Sequence, residues 1–356
     1  MKKITITKDL SGFTDKIKLV RKNNLLQEFV IVDGIGSSGK AMLSHIIASF
    51  KRVEKMRLDI LFDTIPRLYM LNKISHDAAI TVMQIEADMQ FYHTMMSRSV
   101  NFRFKDGTGV FQNPFPLRYL RRLFTKERGP VIEQIKKINP IFQDMTHDGL
   151  RNANILFDAF EKIQFYIIYI ARDPVEIIYD WYQRGFGTRI GTDPQEFQFS
   201  YEYKKNIVPL YAYGWEKEYL SLEPMDRNIG MIKQHFENNI KSYNELQSER
   251  KAKVLFVFFS ELVTDPIPIS KKIAAFIGTE ITSCTKKTLK RENCPRIGIG
   301  ENKLFKKQFI EQRATKKYRT MLEKLIQDYN TFKYNYLSLE DKIRDDDFKV
   351  IERKQV

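Results

Sequence analysis

FVIVDGIGSSGKAMLSHIIASF, Phe29 to Phe50, is the stretch on which the fold turns. Its first four residues, Phe29 to Val32, are apolar and read as a buried strand. Gly34-Ile35-Gly36-Ser37-Ser38-Gly39-Lys40 is a glycine-rich turn. Ala41 to Phe50 then reads as a helix, with an apolar stripe at Met42, Ile46 and Phe50 beside Leu43 and Ile47. Strand, glycine turn and helix in that order make a seat for phosphate. Glycines let backbone N–H groups crowd around an anion, and the helix N-terminus adds partial positive charge.

Outward from this unit, two more segments read as buried strands: Phe165 to Ala171 (FYIIYIA) and Val254 to Phe259 (VLFVFF). Asp59 to Phe62 is a shorter apolar run that fits a strand or a helix equally. The first two run into polar residues and then a proline, at Arg172-Asp173-Pro174 and at Ser260 to Pro266. Helical patterns at Val175 to Tyr182 and Ile269 to Phe276 separate them. Apolar strands alternating with helices predict an α/β fold with a mainly parallel central sheet, covered by helices on both faces. Ligands in such sheets sit at the C-terminal ends of the strands, where the glycine turn, Arg172 and Ser260 all fall. Residues 1–337 are expected to form a single α/β domain. Within it, an aromatic-rich lid of helices and loops is expected at about residues 183–250. Residues 338–356, with Asp345-Asp346-Asp347, read as a charged, solvated tail.

Composition narrows the functional classes. The chain has 356 residues, 43% hydrophobic and 13% aromatic, which suits a sizeable core rather than disorder. Its formal net charge of +15 favours anionic partners: nucleotides, nucleic acid, acidic glycans or a membrane surface. No nucleic-acid motif accompanies the basic clusters. Cys284 and Cys294 show no metal spacing and read as two reduced thiols of a cytoplasmic protein. Met1 to Phe13 lacks the apolar core of a signal peptide. No apolar run reaches the length of a membrane span, so no Golgi-type anchor is expected.

The glycine turn fits the P-loop pattern Gly34-x4-Gly39-Lys40, except that Ala41 stands where a Ser or Thr hydroxyl would ligate Mg²⁺. The turn is therefore suited to phosphate and poorly equipped for metal-dependent triphosphate chemistry. Arg172, at a strand's end, offers a planar two-point grip on phosphate; a local ion pair with Asp173 is the alternative. His147 is a candidate base or a capping histidine beside Asp148, and His45 reads as core. Two basic clusters, Arg118 to Arg128 and Lys286 to Lys307, are solvated faces or anion contacts. The earlier one would meet an anionic acceptor and the later one a cofactor.

Taken in order, four segments resemble the sulfotransferases that use 3′-phosphoadenosine 5′-phosphosulfate (PAPS). FYIIYIARDPVEIIYDWY, Phe165 to Tyr182, resembles the family's 3′-phosphate-binding segment. Val257 to Gly278 resembles its later Glu-Asp-Leu and Asp-Pro segment. Gly36 to Ala41 falls on its first, serine- and glycine-rich segment, and Arg296-Ile297-Gly298-Ile299-Gly300-Glu301 on its Arg-Lys-Gly loop. The resemblance implies a P-loop-like sulfotransferase fold. It implies that Gly36, Ser37, Ser38, Gly39, Lys40 and Ala41 wrap the 5′-phosphosulfate and that Arg172 holds the 3′-phosphate. Arg296, Gly298 and Lys303 would close over it. Met145-Thr146-His147 resembles the family's Lys-Thr-His, which makes His147 the catalytic base with Asp144 in reserve. Three departures stand out. Asp180 occupies a serine position facing the 3′-phosphate, Ser37 replaces a basic residue, and Met145 replaces a lysine. Lys40 is the candidate to supply the missing cation. The resulting expectation is PAPS-dependent sulfuryl transfer, without metal, to a hydroxyl or amine of a glycan (an acidic one included), a lipid or a small metabolite. The alternatives are a P-loop nucleotide-dependent kinase and a non-catalytic anion-binding relic.

Overall fold

A computed structural model of the chain describes residues 17–353, with side chains through residue 339. Met1 to Phe13, read above for a signal peptide, lies outside the described residues. The sheet is built from β1 (Glu28–Asp33), β2 (Ile141–Met145), β3 (Gln164–Ala171) and, after a small antiparallel hairpin of β4 (Ser200–Tyr203) and β5 (Asn206–Pro209), β6 (Val254–Phe258). Its order is β2-β1-β3-β6 and every pairing is parallel. β1 is central, and its alternating side chains feed two different cores. Phe29 and Ile31 pack with Phe62, Phe142, Phe160 and Phe165 on one face. Val30 and Val32 pack with Leu43, Ile46, Ile168 and Val257 on the other. A sheet buried on both faces needs this continuous apolar run rather than an alternating one.

One element differs from the sequence reading, and one left open between strand and helix is decided. β2 was not foreseen, because Gln143 and Asp144 interrupt its apolar pattern. Both are buried nonetheless, and each finds backbone partners. Gln143 Nε2 donates to the carbonyl of Glu54 at 2.8 Å, and Asp144 accepts from the N–H of Asp59 at 3.0 Å. Asp59 to Phe62 is no strand: Leu61–Met70 is a helix whose Phe62 and Ile65 face the core. The extended segment Arg52 to Arg57 runs beside β2 instead and caps its edge, exchanging backbone hydrogen bonds with Ile141 and Met145.

The stretch expected as a lid, residues 183–250, holds elements with two kinds of surroundings. Residues 186–198 and Tyr211 border the cleft described below. Helix Pro224–Glu245, by contrast, sends Met225, Ile229 and Ile232 into a third core with Val175, Ile178 and Trp181. Helix Lys316–Arg353 adds Tyr318, Leu322 and Leu325 to that core, and its backbone continues through the charged stretch after Ser338. Among the described residues no helix is long and apolar enough to cross a membrane.

Candidate active site

The C-terminal ends of β1, β2 and β3 open into a cleft of about 1060 Å³. The glycine turn leaves β1 here and enters helix Lys40–Ile47. Gly39 sits at φ 99°, and a Cβ on it would stand 2.6 Å from the Phe259 ring, so glycine is required twice over. No side chain caps the helix and no acid occupies its first turn, which leaves its N-terminal N–H groups to an external anion. Gly36, Ser37, Gly39, Lys40 and Ala41 face the cleft. Ser38 turns inward; it is fully buried and its Oγ has no partner.

Lys40 is buried, and its Nζ donates to the carbonyl of Gly34 at 2.7 Å. Burial lowers its pKa to about 8, against the pull of Asp33, Asp63 and Asp148. Arg184, which sequence reasoning overlooked, supplies a second cation. It caps helix Pro174–Gln183, lies 3.4 Å from Ser37 Oγ and stacks on Phe186 at 4.3 Å. A basic side chain from a different element thus stands beside Ser37.

Arg172 ends β3 and is held from three sides. It donates to the carbonyl of Ser37 at 2.7 Å, to Asp180 at 3.1 Å and to Glu176 at 3.1 Å. Asp180 therefore faces the arginine rather than turning away, and Asp173, the alternative ion-pair partner, pairs with Lys303 at 2.5 Å instead. Phe259 lies between two guanidinium groups, Arg172 at 4.6 Å and Arg296 at 5.4 Å from its ring centre. These three residues also line an adjoining pocket of about 490 Å³ with Gly298, Lys303, Lys306 and Lys333.

His147, just past β2, lines the same cleft. Its Nδ1 lies 3.0 Å from Asp63, whose carboxylate also accepts the backbone N–H groups of His147 and Asp148. Burial and Lys40 lower the histidine's pKa while Asp63 opposes them, so the ring is neutral near pH 7. A neutral ring that donates a hydrogen bond from its Nδ1–H to Asp63 leaves Nε2 free to accept a proton. Asp63 itself is anchored in a buried group in which Arg67 Nε donates to Asp148 at 2.7 Å. Nothing in the sequence pairs Asp63 with His147; they are 84 residues apart.

Asp144 is not brought into this group. It is buried within β2, and burial beside Asp59 pushes its carboxyl well above the usual carboxylate range. Met145 lines the cleft as an apolar wall with Leu58, Ile60, Ile190 and Phe197. The earlier basic cluster, Arg118 to Arg128, lies outside the cleft, and its Arg122 is buried against Glu54 at 2.6 Å. His45 is not core: it bridges Glu292 at 2.9 Å and the carbonyl of Gly107 at 2.7 Å.

A parallel sheet with a glycine turn at its centre and basic groups at its strand ends is an anion-binding α/β enzyme architecture. Sequence comparison makes this specific: the model of the family described as "Sulfotransferase domain" matches residues 39–332. The chain belongs to the sulfotransferase domain family. Comparison with curated proteins found no match. Similar solved structures include the sulfotransferase domain of the Synechococcus PCC 7002 olefin synthase, 13% identical with a TM-score of 0.41, covering 76% of this chain and 80% of that one. Mouse sulfotransferase SULT7A1 complexed with PAP is 14% identical with a TM-score of 0.38, covering 90% and 88%. Sulfotransferase STF1 of Mycobacterium tuberculosis is 10% identical with a TM-score of 0.38, covering 85% and 79%.

Proposed function

We propose that this sulfotransferase-family chain moves a sulfuryl group from PAPS, in line, to a hydroxyl or amine of an acceptor. The observation that carries the reading is the convergence, in one cleft, of the uncapped glycine turn, Arg172, Arg296 and an Asp63-held His147. The residues suit such a donor. Arg172 Nε and Ser38 Oγ are buried without a partner, and the first helical turn has no side-chain cap. The turn from Gly36 to Ala41, with Lys40 and Arg184, would hold the 5′-phosphosulfate. Arg172 and Arg296, with Gly298 and Lys303 in the adjoining pocket, would hold the 3′-phosphate. His147 Nε2 takes the proton from the acceptor as its oxygen or nitrogen attacks sulfur. Lys40 stabilises the charge that grows on the bridging oxygen of the departing adenosine 3′,5′-bisphosphate. No metal ion is needed, which suits Ala41.

The acceptor wall supports a narrower choice. Leu58, Ile60, Met145, Ile190 and Phe197 are apolar; of the carboxylates among them Glu196 is paired with Arg189 at 2.5 Å, which leaves Asp59. Such a wall favours an apolar, neutral or basic acceptor over an acidic glycan. Both cysteines are free thiols, in keeping with the cytoplasmic location that goes with this reading. Calorimetric titration with adenosine 3′,5′-bisphosphate and, separately, with ATP and Mg²⁺ tests the donor. Tighter binding of the bisphosphate is expected; a preference for ATP would sink the reading in favour of the kinase. Turnover with labelled PAPS then separates an enzyme from an anion-binding relic.

A further inference from the structure

Away from the cleft, residues 103–128 carry apolar side chains that the fold leaves in water. Phe124 is 88% exposed, Phe104 71%, Leu117 62% and Leu123 51%. Phe104 is stiffened by stacking on Phe111, with ring centres 4.1 Å apart. Exposed clusters of this kind mark contact surfaces. Between these residues lie Arg103, Lys105, Arg121, Lys126 and Arg128, all exposed. The two acids of the stretch are already engaged: Glu127 pairs with Arg98, and Asp106 is taken up by Asn101 and Thr108. Pro114, Phe115, Pro116 and Leu117 line one side of a groove of about 580 Å³, with Arg118 and Arg121 beside them.

We propose that this surface docks the chain on an anionic lipid bilayer, with Leu117, Leu123 and Phe124 entering the headgroup layer and the surrounding Arg and Lys residues meeting lipid phosphates. Protruding apolar side chains ringed by cations, which outnumber the two carboxylates of the stretch, are the arrangement that an interface between water and lipid selects. Nucleic acid would use the cations and the rings but has no role for Leu117 and Leu123. The surface also connects mechanically to the cleft. Helix His76–Met95 carries the carbonyl of Thr94, which accepts from Arg122 at 3.3 Å, and Tyr92, whose hydroxyl accepts the Arg128 N–H at 2.8 Å. Further along the same helix, Glu86 meets Asp59 on the cleft rim between the exposed Leu58 and Ile60.

The test is co-sedimentation of the full chain with large vesicles of phosphatidylcholine alone and of phosphatidylcholine with phosphatidylserine. Binding to the anionic vesicles only, weakened by added salt, is expected. Leu123→Ser with Phe124→Ser, and separately Arg121→Glu with Lys126→Glu, should each lower the bound fraction roughly ten-fold or more. Both variants should keep the parent's melting temperature and bisphosphate affinity, because these residues lie outside the cleft. Failure of the parent to sediment, equal binding by the variants, or selective binding of single-stranded RNA through the same residues overturns the proposal. None of those results bears on the sulfotransfer reading, which rests on other residues.

Discussion

His147 would be an ordinary histidine without Asp63. The carboxylate fixes the ring through Nδ1 and fixes the loop through two backbone N–H groups, so orientation and protonation state share one cause. Asp63→Asn keeps one acceptor but loses the charge. Because Asp63 is what holds the histidine's pKa up, the variant's pKa falls further below the ordinary value. The acid limb of the pH–rate profile should therefore move to lower pH, while the plateau drops roughly ten-fold or more as the ring loses its fixed tautomer. An unmoved profile would show that Asp63 is only structural. Asp144 presents the opposite case. Its folded pKa is raised, so its contribution to stability is fully present below the unfolded value near 3.8 and is lost as pH rises through the folded value. Asp144→Asn removes that penalty. It should raise the melting temperature at pH 8, leave it nearly unchanged at pH 4, and spare turnover; a large loss of turnover would return Asp144 to the role of base.

The elements were legible in proportion to how well their side chains announced their surroundings. β6 and the middles of β1 and β3 are apolar because both faces are covered, and a run such as FYIIYIA has few other uses. β2 is just as buried but spends two positions on polar groups satisfied by backbone atoms far away in sequence, which no local pattern reveals. The site divides in the same way. The glycine turn, Arg172 and His147 stood out by their own motifs. Asp63 and Arg184 did not, because each acts on a partner brought near only by the fold. Edge protection is another such case. Helix Pro116–Arg122 is fastened to the Arg52–Arg57 edge by Tyr119, whose hydroxyl accepts the Lys55 N–H at 2.7 Å and donates to Glu54 at 2.8 Å. Tyr119→Phe leaves a buried N–H without a partner and should lower stability by about 1–3 kcal/mol in urea unfolding. An unchanged midpoint would mean that the Arg122–Glu54 pair holds the edge alone.

At the scale of the molecule, the surplus of fifteen positive charges misdescribes the place where charge matters. Around the donor seat, several cations are already matched. Arg172 rests on Glu176 and Asp180, Lys303 on Asp173, Lys306 on Glu176, and Lys333 on Glu261. A phosphate that enters must displace a carboxylate, and when it leaves, the carboxylate returns. The seat is in this respect an ion exchanger with its counter-ions built into the wall. At Arg172 the guanidinium keeps a carboxylate partner in either state, so loading and unloading there are swaps, whereas Arg184 and Arg296 have no carboxylate beside them among the described residues. Asp180→Ser deletes one built-in counter-ion. It should tighten adenosine 3′,5′-bisphosphate about five-fold, the worth of about 1 kcal/mol for a part-exposed pair, as read by calorimetry. Weaker binding would refute the exchange. Where product release limits the rate, the same variant turns over more slowly despite its better grip, because the wall has lost the group that reclaims the arginine.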